Sequence, residues 1–212
     1  MDIDNQTAYW DSVAQTKTFT HPIDLDLLSN YITPSDKIVD FGCGYGRVVK
    51  ILLDKDYNNV EGYDTSKELI IRGQKCGISG LHHFAGIDTF PVEDNSVDCF
   101  LLFAVLTCIP TNQAQKNLIN TLRSRLKPNG IIYISDYYIQ KDPSKTSRYE
   151  YLNDNPYNYG TFSLPEGATF RHHTREWINE LLQEFKIKEH SIIDVNTMNG
   201  NSAEAFQVIV QK

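Results

Sequence analysis

Residues 38–47 read Ile38-Val-Asp-Phe-Gly-Cys-Gly-Tyr-Gly-Arg47, and they combine a strand, a glycine loop and the start of a helix. The first four residues form a short β-branched and apolar run that is typical of a strand. After Gly46, apolar residues recur at helical spacing as far as Lys55. Glycines in such a loop allow positive φ and let a ligand approach the backbone closely. Because ligands of open parallel sheets bind at the carboxyl ends of the strands, this loop is the predicted ligand site.

The alternation of strand and helix continues along the chain. Strands are predicted at residues 37–41, 59–63, 81–85, 97–102 and 131–135, and helices between them at 47–55, 65–76 and 112–127. This order predicts right-handed βαβ crossovers and a mainly parallel sheet that is covered on both faces. Thr65-Ser-Lys-Glu68 fits a capping box, which makes Thr65 the predicted cap of the second helix.

The last forty residues break this pattern. A predicted helix at 174–185 precedes two strands at 186–195 and 204–211, and Asn199-Gly200 between the strands is a hairpin signal. These two strands should therefore be antiparallel. The predicted fold is α/β, a Rossmann-like three-layer sandwich with a seven-stranded, mostly parallel sheet and an antiparallel last strand.

Composition and charge exclude several classes of protein. The 212 residues carry a formal net charge of −7, which argues against broad binding to nucleic acid or to anionic lipid. No apolar run approaches the roughly 20 residues that span a bilayer, and the acidic N-terminus has no apolar signal core. The four cysteines are scattered, without a metal-ligand or disulfide pattern. We therefore expect a cytoplasmic protein that binds no metal, nucleic acid or membrane.

Two acidic residues indicate which ligand the glycine loop holds. Dinucleotide sites use G-x-G-x-x-G, and this loop is one residue shorter. Asp40, two residues before Gly42, would repel a pyrophosphate but attract an ammonium group. Asp64, at the end of the second strand, suits ribose hydroxyls in either ligand class. A ligand that has an adenosine, an ammonium group and no phosphate is S-adenosylmethionine.

Four segments then resemble the class I S-adenosylmethionine-dependent methyltransferase family. Val39-Asp-Phe-Gly-Cys-Gly-Tyr-Gly-Arg47 is similar to the first motif of the family, and Val60-Glu-Gly-Tyr-Asp64 to its second-strand motif. Phe90-Pro-Val-Glu-Asp-Asn-Ser-Val-Asp98 resembles the approach to the fourth strand, and Leu122 to Gly130 the turn before the fifth. The resemblance covers about residues 37–136, in the order and spacing of the family.

The resemblance implies a set of cofactor contacts. Asp40 and the loop would meet the methionine part, and Asp64 the ribose. Thr65, Ile87 and Asp88 would surround the adenine, although Gly86 stands where the family often has an acidic residue. In full, S-adenosylmethionine, with S-adenosylhomocysteine as its product, is expected to contact Trp10, Asp40, Gly42, Cys43, Gly44, Gly46, Asp64, Thr65, Ile87, Asp88 and Phe103.

The acceptor side is expected between the fifth strand and the last helix. Residues 137–173 are too many for a simple connection, and six of the 12 tyrosines fall between 137 and 159. We predict that this segment is an acceptor lid, the other interpretation being a local packing cluster. The expected acceptor contacts are Tyr137, Tyr138, Tyr159, Arg171 and His172. If the acceptor is a hydroxyl or an ammonium group, a base must remove its proton, and the candidates are His21, Asp136, His172 and His173, of which His21 and Asp136 lie on the ligand side of the sheet.

We predict one domain over 1–212, with an N-terminal helical cap (1–36), a cofactor-binding half (37–136), the acceptor lid (137–173) and a final helix and hairpin (174–212). The predicted activity is in-line methyl transfer to an oxygen or nitrogen of a small molecule. The alternatives are a protein methyltransferase and a non-catalytic cofactor-binding subunit. A nicotinamide oxidoreductase would rest on the βαβ pattern alone. The sequence does not indicate an oligomeric state.

Overall fold

The computed structural model describes residues 3–151 and 159–212. Its elements are, in chain order, α1 (Thr7–Val13), α2 (Leu25–Ser29), β1 (Ile38–Phe41), α3 (Arg47–Leu53), β2 (Val60–Asp64), α4 (Lys67–Lys75), β3 (Leu81–His83), β4 (Val97–Phe103), α5 (Asn112–Arg125), β5 (Leu126–Tyr137), α6 (Pro143–Thr146), β6 (Glu150–Tyr151), β7 (Tyr159–Ser163), β8 (Thr169–Arg171), α7 (Arg175–Leu181), β9 (Lys186–Asn196) and β10 (Ser202–Gln211). Among these described residues, no helix has both the length and the apolar content needed to cross a membrane.

Seven strands form the main sheet, in the order β3-β2-β1-β4-β5-β10-β9. β1 pairs in parallel with β2 and β4, and β4 pairs in parallel with β5. Only β10 runs against its neighbours, β5 and β9. The predicted fold class, including the antiparallel last strand, is confirmed.

Helices cover both faces of the sheet because side chains alternate along each strand. Phe100 on β4 belongs to a buried cluster with residues of α5 and α7 such as Leu118 and Trp177. Its neighbour Leu101 belongs to a second cluster, with residues of α3 and α4 such as Leu52. Helices on both sides of a buried parallel sheet make the three predicted layers.

Two local predictions need correction. Ser66, and not Thr65, caps α4, since the Ser66 hydroxyl accepts a hydrogen bond from Leu69 N. This shift leaves the Thr65 side chain free to face the ligand site. The fifth strand begins at Leu126, earlier than predicted, because the turn Lys127 to Gly130 is included in β5.

The predicted lid is an ordered layer in the residues that the structure describes. α6 is followed by a three-stranded antiparallel sheet, β6-β7-β8. Tyr149, Phe162 and Phe170 form its apolar cluster, against which Tyr9 and Trp10 of α1 pack. Tyr157, which also contributed to the aromatic count of this segment, lies outside the described residues.

The N-terminal segment is tied across the carboxyl ends of the strands. Asp11 accepts hydrogen bonds from the Ser66 hydroxyl (2.6 Å) and from Glu68 N (3.1 Å) at the start of α4. At its other end, Gln6 donates to Cys108 O (2.7 Å) and to Thr169 O (2.6 Å). The segment therefore bridges from α4 to the small sheet and forms a roof over the predicted ligand site.

Candidate cofactor and acceptor cavity

A cavity of about 840 Å³ lies at the carboxyl ends of β1, β2, β4 and β5, beneath this roof. One end has the predicted cofactor contacts and the other has part of the predicted acceptor contacts. The predicted residues that line it are Trp10, His21, Asp40, Gly42, Cys43, Gly44, Asp64, Thr65, Ile87, Asp88, Phe103, Tyr137 and His172. The fold thus brings together residues that are more than 150 positions apart in the sequence.

The glycine loop has the backbone that its composition predicts. Gly42 and Gly44 have φ of 72° and 58°, in the region that favours glycine. A Cβ atom on Gly44 would lie only 2.1 Å from the ring of Phe19. Gly46 was predicted to contact the cofactor, but it does not line the cavity. It caps α3 with φ of 80° and faces Leu81.

Asp64 is a buried carboxylate that the backbone holds in place. Its Oδ2 accepts a hydrogen bond from Gly44 N (2.8 Å), and its Oδ1 accepts one from Ser66 N (2.7 Å). Burial raises the pKa of Asp64 to about 6, although these two hydrogen bonds oppose the rise. Each carboxylate oxygen has a second lone pair, so Asp64 can still accept hydrogen bonds from the hydroxyls of a ligand.

Asp40 is 2% exposed and lies beneath the glycine loop. Burial raises the pKa of Asp40 to about 8, Arg47 opposes this rise, and the charge of Asp64 adds to it. A buried carboxyl of this kind is stabilised in its ionised form by a nearby cation. Two buried carboxyls, a glycine cradle that Cβ atoms would fill and aromatic walls fit S-adenosylmethionine, which is cationic and has ribose hydroxyls.

The rings of Tyr137, His21 and His172 form one wall of the cavity at the end away from the glycine loop. Tyr137 lies between two histidines, with His21 edge-on at a centroid distance of 5.2 Å and His172 stacked at 5.1 Å. Tyr137 is the last residue of β5, at the carboxyl edge of the sheet where the cavity lies. This end of the cavity is therefore aromatic, although Tyr137 is the only tyrosine in the described part of residues 137–173 that lines it.

His21 reaches this wall from the N-terminal segment. Its Nε2 lies 2.7 Å from the Ser135 hydroxyl, and its Nδ1 is buried without a hydrogen-bond partner among the described residues. Burial, assisted by the charge of Arg47, lowers the pKa of His21 to about 4. The imidazole is neutral at pH 7, and one of its two nitrogens has no partner among the described residues.

Asp136 was predicted as a candidate base, but its contacts give it a structural role. The carboxylate accepts hydrogen bonds from Thr107 N (3.1 Å) and Tyr137 N (2.7 Å), and the residue is 0% exposed. It does not line the cavity. Asp136 stabilises the turn after β4, because its carboxylate binds backbone donors on that turn and on its own strand.

Three predicted acceptor residues also lie elsewhere. Tyr138 points to the opposite side of β5 from Tyr137, into the core, and its hydroxyl lies 2.8 Å from His190 Nε2. Arg171 is 1% exposed and donates to Pro110 O (3.1 Å) and to Asn112 Oδ1 (2.5 Å). Tyr159 packs in the apolar cluster of the small sheet. None of these three side chains lines the cavity, so the prediction that they contact the acceptor is wrong.

Sequence reasoning did not assign four residues that line the cavity or support its wall. Phe19, Arg148 and Phe162 line the cavity, and the Tyr149 hydroxyl binds His172 Nδ1 at 2.7 Å. Aromatic content marks the neighbourhood of Tyr149 and Phe162. No motif marks these residues individually, because tertiary packing creates their contacts.

The sheet order, the glycine loop and the two buried carboxyls define the class I S-adenosylmethionine-dependent methyltransferases. A family model described as a methyltransferase domain matches residues 39–134. A structure of an S-adenosylmethionine-dependent methyltransferase from Methanosarcina mazei is similar, with a TM-score of 0.77 and 26% identity over 88% of this chain and 96% of that chain. The fold, the site and these matches support membership of the class I S-adenosylmethionine-dependent methyltransferase family, whose cofactor is S-adenosylmethionine.

Two curated relatives match about half of this chain. O-methyltransferase 3 of Dictyostelium discoideum is 28% identical over 128 residues, which are 54% of this chain and 28% of the relative. A tRNA N(3)-cytidine methyltransferase of Danio rerio is 29% identical over 116 residues, 49% of this chain and 32% of the relative. The matches therefore span less than a third of either relative, and the names of these relatives differ in the type of acceptor.

Proposed function

We propose that this protein transfers a methyl group from S-adenosylmethionine to an oxygen or nitrogen atom of a small molecule. The observation that carries this proposal is the single cavity that joins the cofactor residues to an aromatic wall beneath a roof. Its volume of about 840 Å³ is in the range of small-molecule sites. The net charge of −7 does not favour a polyanionic acceptor such as tRNA.

Bound S-adenosylmethionine would supply an electrophilic methyl group on its sulfonium sulfur. This chain would bind the cofactor and the acceptor, align the two, and exclude water from the site. Asp40 and the glycine loop would hold the methionine end, and Asp64 would accept hydrogen bonds from the ribose. The roof and the wall at Tyr137 would fix the acceptor in line with the methyl group, which is the main contribution a protein makes to such a displacement.

His21 is the residue that we propose to receive the acceptor proton. If Nε2–H donates to the Ser135 hydroxyl, which lies 2.7 Å away, Nδ1 has a free lone pair. Nδ1 is buried and unpartnered among the described residues. The low pKa of about 4 makes His21 a weak base, so it suits an acceptor with an acidic proton, such as a phenol or an enol.

The cytoplasmic location also remains a proposal. The four cysteines are all free thiols. Free thiols of this kind are typical of proteins in reducing compartments.

Calorimetry and a methyl-transfer screen test the proposal together. We expect S-adenosylhomocysteine to bind the wild-type protein, and Asp64→Ala to weaken binding by at least about tenfold, since the variant loses a charge-assisted hydrogen bond. Asp54→Ala is the matched control, because Asp54 is exposed and pairs with Lys50 on the surface. No binding at millimolar concentration would contradict the proposal.

The screen supplies methyl-labelled cofactor with metabolite pools, with protein extract and with tRNA in separate reactions. Label in a metabolite that depends on the wild-type protein supports the small-molecule assignment. Label only in protein or only in tRNA shows that the acceptor class is wrong. Cofactor binding without any transfer would favour the non-catalytic subunit.

A further inference from the structure

Resting on that proposed function, we propose that the acceptor half of the cavity contains a carboxylate subsite formed by Arg148 and His172. Tyr149 is the positioning residue of this subsite, since it sets which nitrogen of His172 carries the proton. The acceptor would then be an aromatic or conjugated molecule that carries a carboxylate. Four observations support the subsite.

The first is the distribution of charge around the cavity. Asp40, Asp64 and Asp88 are at the cofactor end. At the roof, Asp4 accepts hydrogen bonds from Thr111 N (2.9 Å) and from the Thr111 hydroxyl (2.6 Å). By contrast, the described residues that line the other end include two cations, Lys145 and Arg148. The acceptor end therefore attracts anions.

The second is the position of the Arg148 guanidinium. Its Cζ lies 3.9 Å from the ring centroid of Phe162, so the guanidinium stacks on that ring. Phe162 is buried, lines the cavity and meets the ring of His172 edge-on at 5.0 Å. A stacked guanidinium still has N–H groups along its edge, and these match the two oxygens of a carboxylate.

The third is the hydrogen-bond chain behind His172. The backbone N–H of Gln140 donates to the Tyr149 hydroxyl oxygen (3.1 Å), and this oxygen lies 2.7 Å from His172 Nδ1. Because the Tyr149 oxygen already accepts from Gln140, its own hydrogen is available for Nδ1. When that hydrogen is donated to Nδ1, the ring hydrogen of His172 is on Nε2.

The fourth is that His172 is neutral at pH 7. Burial lowers its pKa well below the usual value, and the positive charge of Arg148 lowers it further. A neutral imidazole with Nδ1 occupied has one remaining polar group, the Nε2–H donor. His172 lines the cavity, so this donor can serve a ligand oxygen beside the Arg148 guanidinium.

Arg171 is the arginine that the sequence predicts as an acceptor contact, and we assign the carboxylate to Arg148 instead. Arg171 uses its guanidinium to bind Pro110 and Asn112, whereas Arg148 is exposed at the cavity. His21 meets the ring of Tyr137 edge-on, whereas His172 stacks on that ring. A planar acceptor that binds Arg148 through its carboxylate could therefore present its methylated atom toward His21.

Benzoate and benzamide are the probes for this subsite, since they differ mainly in charge. Binding is measured by ligand-observed NMR, with and without S-adenosylhomocysteine, for the wild-type protein, Arg148→Met and the control Lys188→Met. Lys188 is exposed on β9 and does not line the cavity. We expect benzoate to bind better than benzamide, and Arg148→Met to weaken benzoate binding by roughly tenfold, since a charge-assisted pair is lost. Lys188→Met should match the wild-type protein.

Equal affinity for the two probes, or equal benzoate affinity in the wild-type protein and Arg148→Met, overturns the subsite. S-adenosylhomocysteine binding is read separately. If it binds normally while the benzoate pattern is missing, the subsite is wrong and the proposed function stands. If it does not bind, the proposed function fails, and the titration without it still decides the subsite.

¹⁵N NMR of the histidine ring tests the role of Tyr149. We expect the Nε2–H tautomer of His172 in the wild-type protein and a larger share of Nδ1–H in Tyr149→Phe, with weaker benzoate binding. Tyr31→Phe is the control, because the Tyr31 hydroxyl binds Glu189 on the surface. An Nδ1–H tautomer in the wild-type protein, or unchanged benzoate affinity in Tyr149→Phe, overturns the positioning role.

Discussion

At the scale of single residues, Asp40 and Asp64 show how burial prepares a site for a cation. Asp64 receives two backbone hydrogen bonds, and its pKa rises only to about 6. Asp40 is buried beneath the loop, and its pKa rises to about 8. Without a bound cationic ligand, Asp40 is therefore largely protonated at pH 7.

This difference predicts a pH dependence of cofactor binding. A cation binds the ionised form of Asp40, so the affinity for S-adenosylmethionine should increase as the pH rises from 6 to about 8. Binding at pH 7 should release a proton. Calorimetry in buffers of different ionisation enthalpy counts this proton, and Asp40→Asn should abolish the release. Affinity that falls as the pH rises over this range would contradict the prediction.

The same carboxyl should reduce the stability of the ligand-free protein. The pKa of Asp40 is higher in the folded protein than in the unfolded chain, so between about pH 4 and about 8 the folded state binds more protons. Stability from this group is therefore lost as the pH rises through that window. We expect Asp40→Asn to unfold at a higher temperature than the wild-type protein at pH 8 but not at pH 4. If the unfolding temperatures of Asp40→Asn and the wild-type protein differ by the same amount at both pH values, titration of Asp40 is not the cause.

Gly44 and Gly77 allow a controlled test of the glycine loop. Both have positive φ, but a Cβ on Gly44 would meet Phe19 at 2.1 Å, whereas a Cβ on Gly77 would meet nothing within 4 Å. Gly77→Ala should cost about 1 kcal/mol of stability for its backbone conformation. Gly44→Ala should cost more and should also weaken S-adenosylhomocysteine binding. Denaturant titration and calorimetry measure the two effects, and equal results for both variants would be contrary to expectation.

At the scale of elements, the roof formed by the N-terminal segment is held by the small sheet β6-β7-β8. Gln6 connects them, since its Nε2 donates to Thr169 O (2.6 Å) and its Oε1 accepts from Thr169 N (2.8 Å). The same amide also donates to Cys108 O (2.7 Å) after β4. One side chain thus joins α1, β8 and the main sheet.

We expect Gln6→Ala to loosen the roof without unfolding the sheet. Loss of these bonds should cost about 1–3 kcal/mol locally, because buried backbone groups lose their partners. Hydrogen exchange at the Thr169 amide should become faster, and S-adenosylhomocysteine should dissociate faster. Gln113→Ala is the control, since Gln113 is exposed on α5 and binds only Asn117. An unchanged dissociation rate in Gln6→Ala would show that the roof does not hold the ligand.

At the scale of the whole molecule, the cavity contains residues of the N-terminal segment, the main sheet and the small sheet. A ligand bound there stabilises the contacts among all three. At a concentration of 100 times its Kd, such a ligand stabilises a protein by about 2.7 kcal/mol. A domain of this size should then unfold at a temperature roughly 5–10 °C higher.

We expect this increase for the wild-type protein with S-adenosylhomocysteine, measured by calorimetric unfolding, and a smaller one for Asp64→Ala at the same concentration. A single transition that moves as a whole would indicate that the three parts unfold together. A transition that splits, with only part of the signal moving, would show that the roof is not coupled to the sheet.

The sequence by itself determined the fold class and most of the cofactor site. Strand and helix periodicity, the glycines of the loop and the carboxylates at two strand ends are local features. In a parallel sheet, the carboxyl ends of neighbouring strands meet at one edge. Asp40 and Asp64 could therefore be placed together before any contact was known.

Only the tertiary structure decided the acceptor side. Tyr137 and Tyr138 are identical in type and adjacent, yet one lines the cavity and the other is in the core, because β5 has two faces. Arg171 and Arg148 are both cations near aromatic rings, and only packing shows that the first is buried and hydrogen-bonded. Side-chain direction and burial depend on contacts between distant segments, and composition and spacing do not encode these contacts one residue at a time.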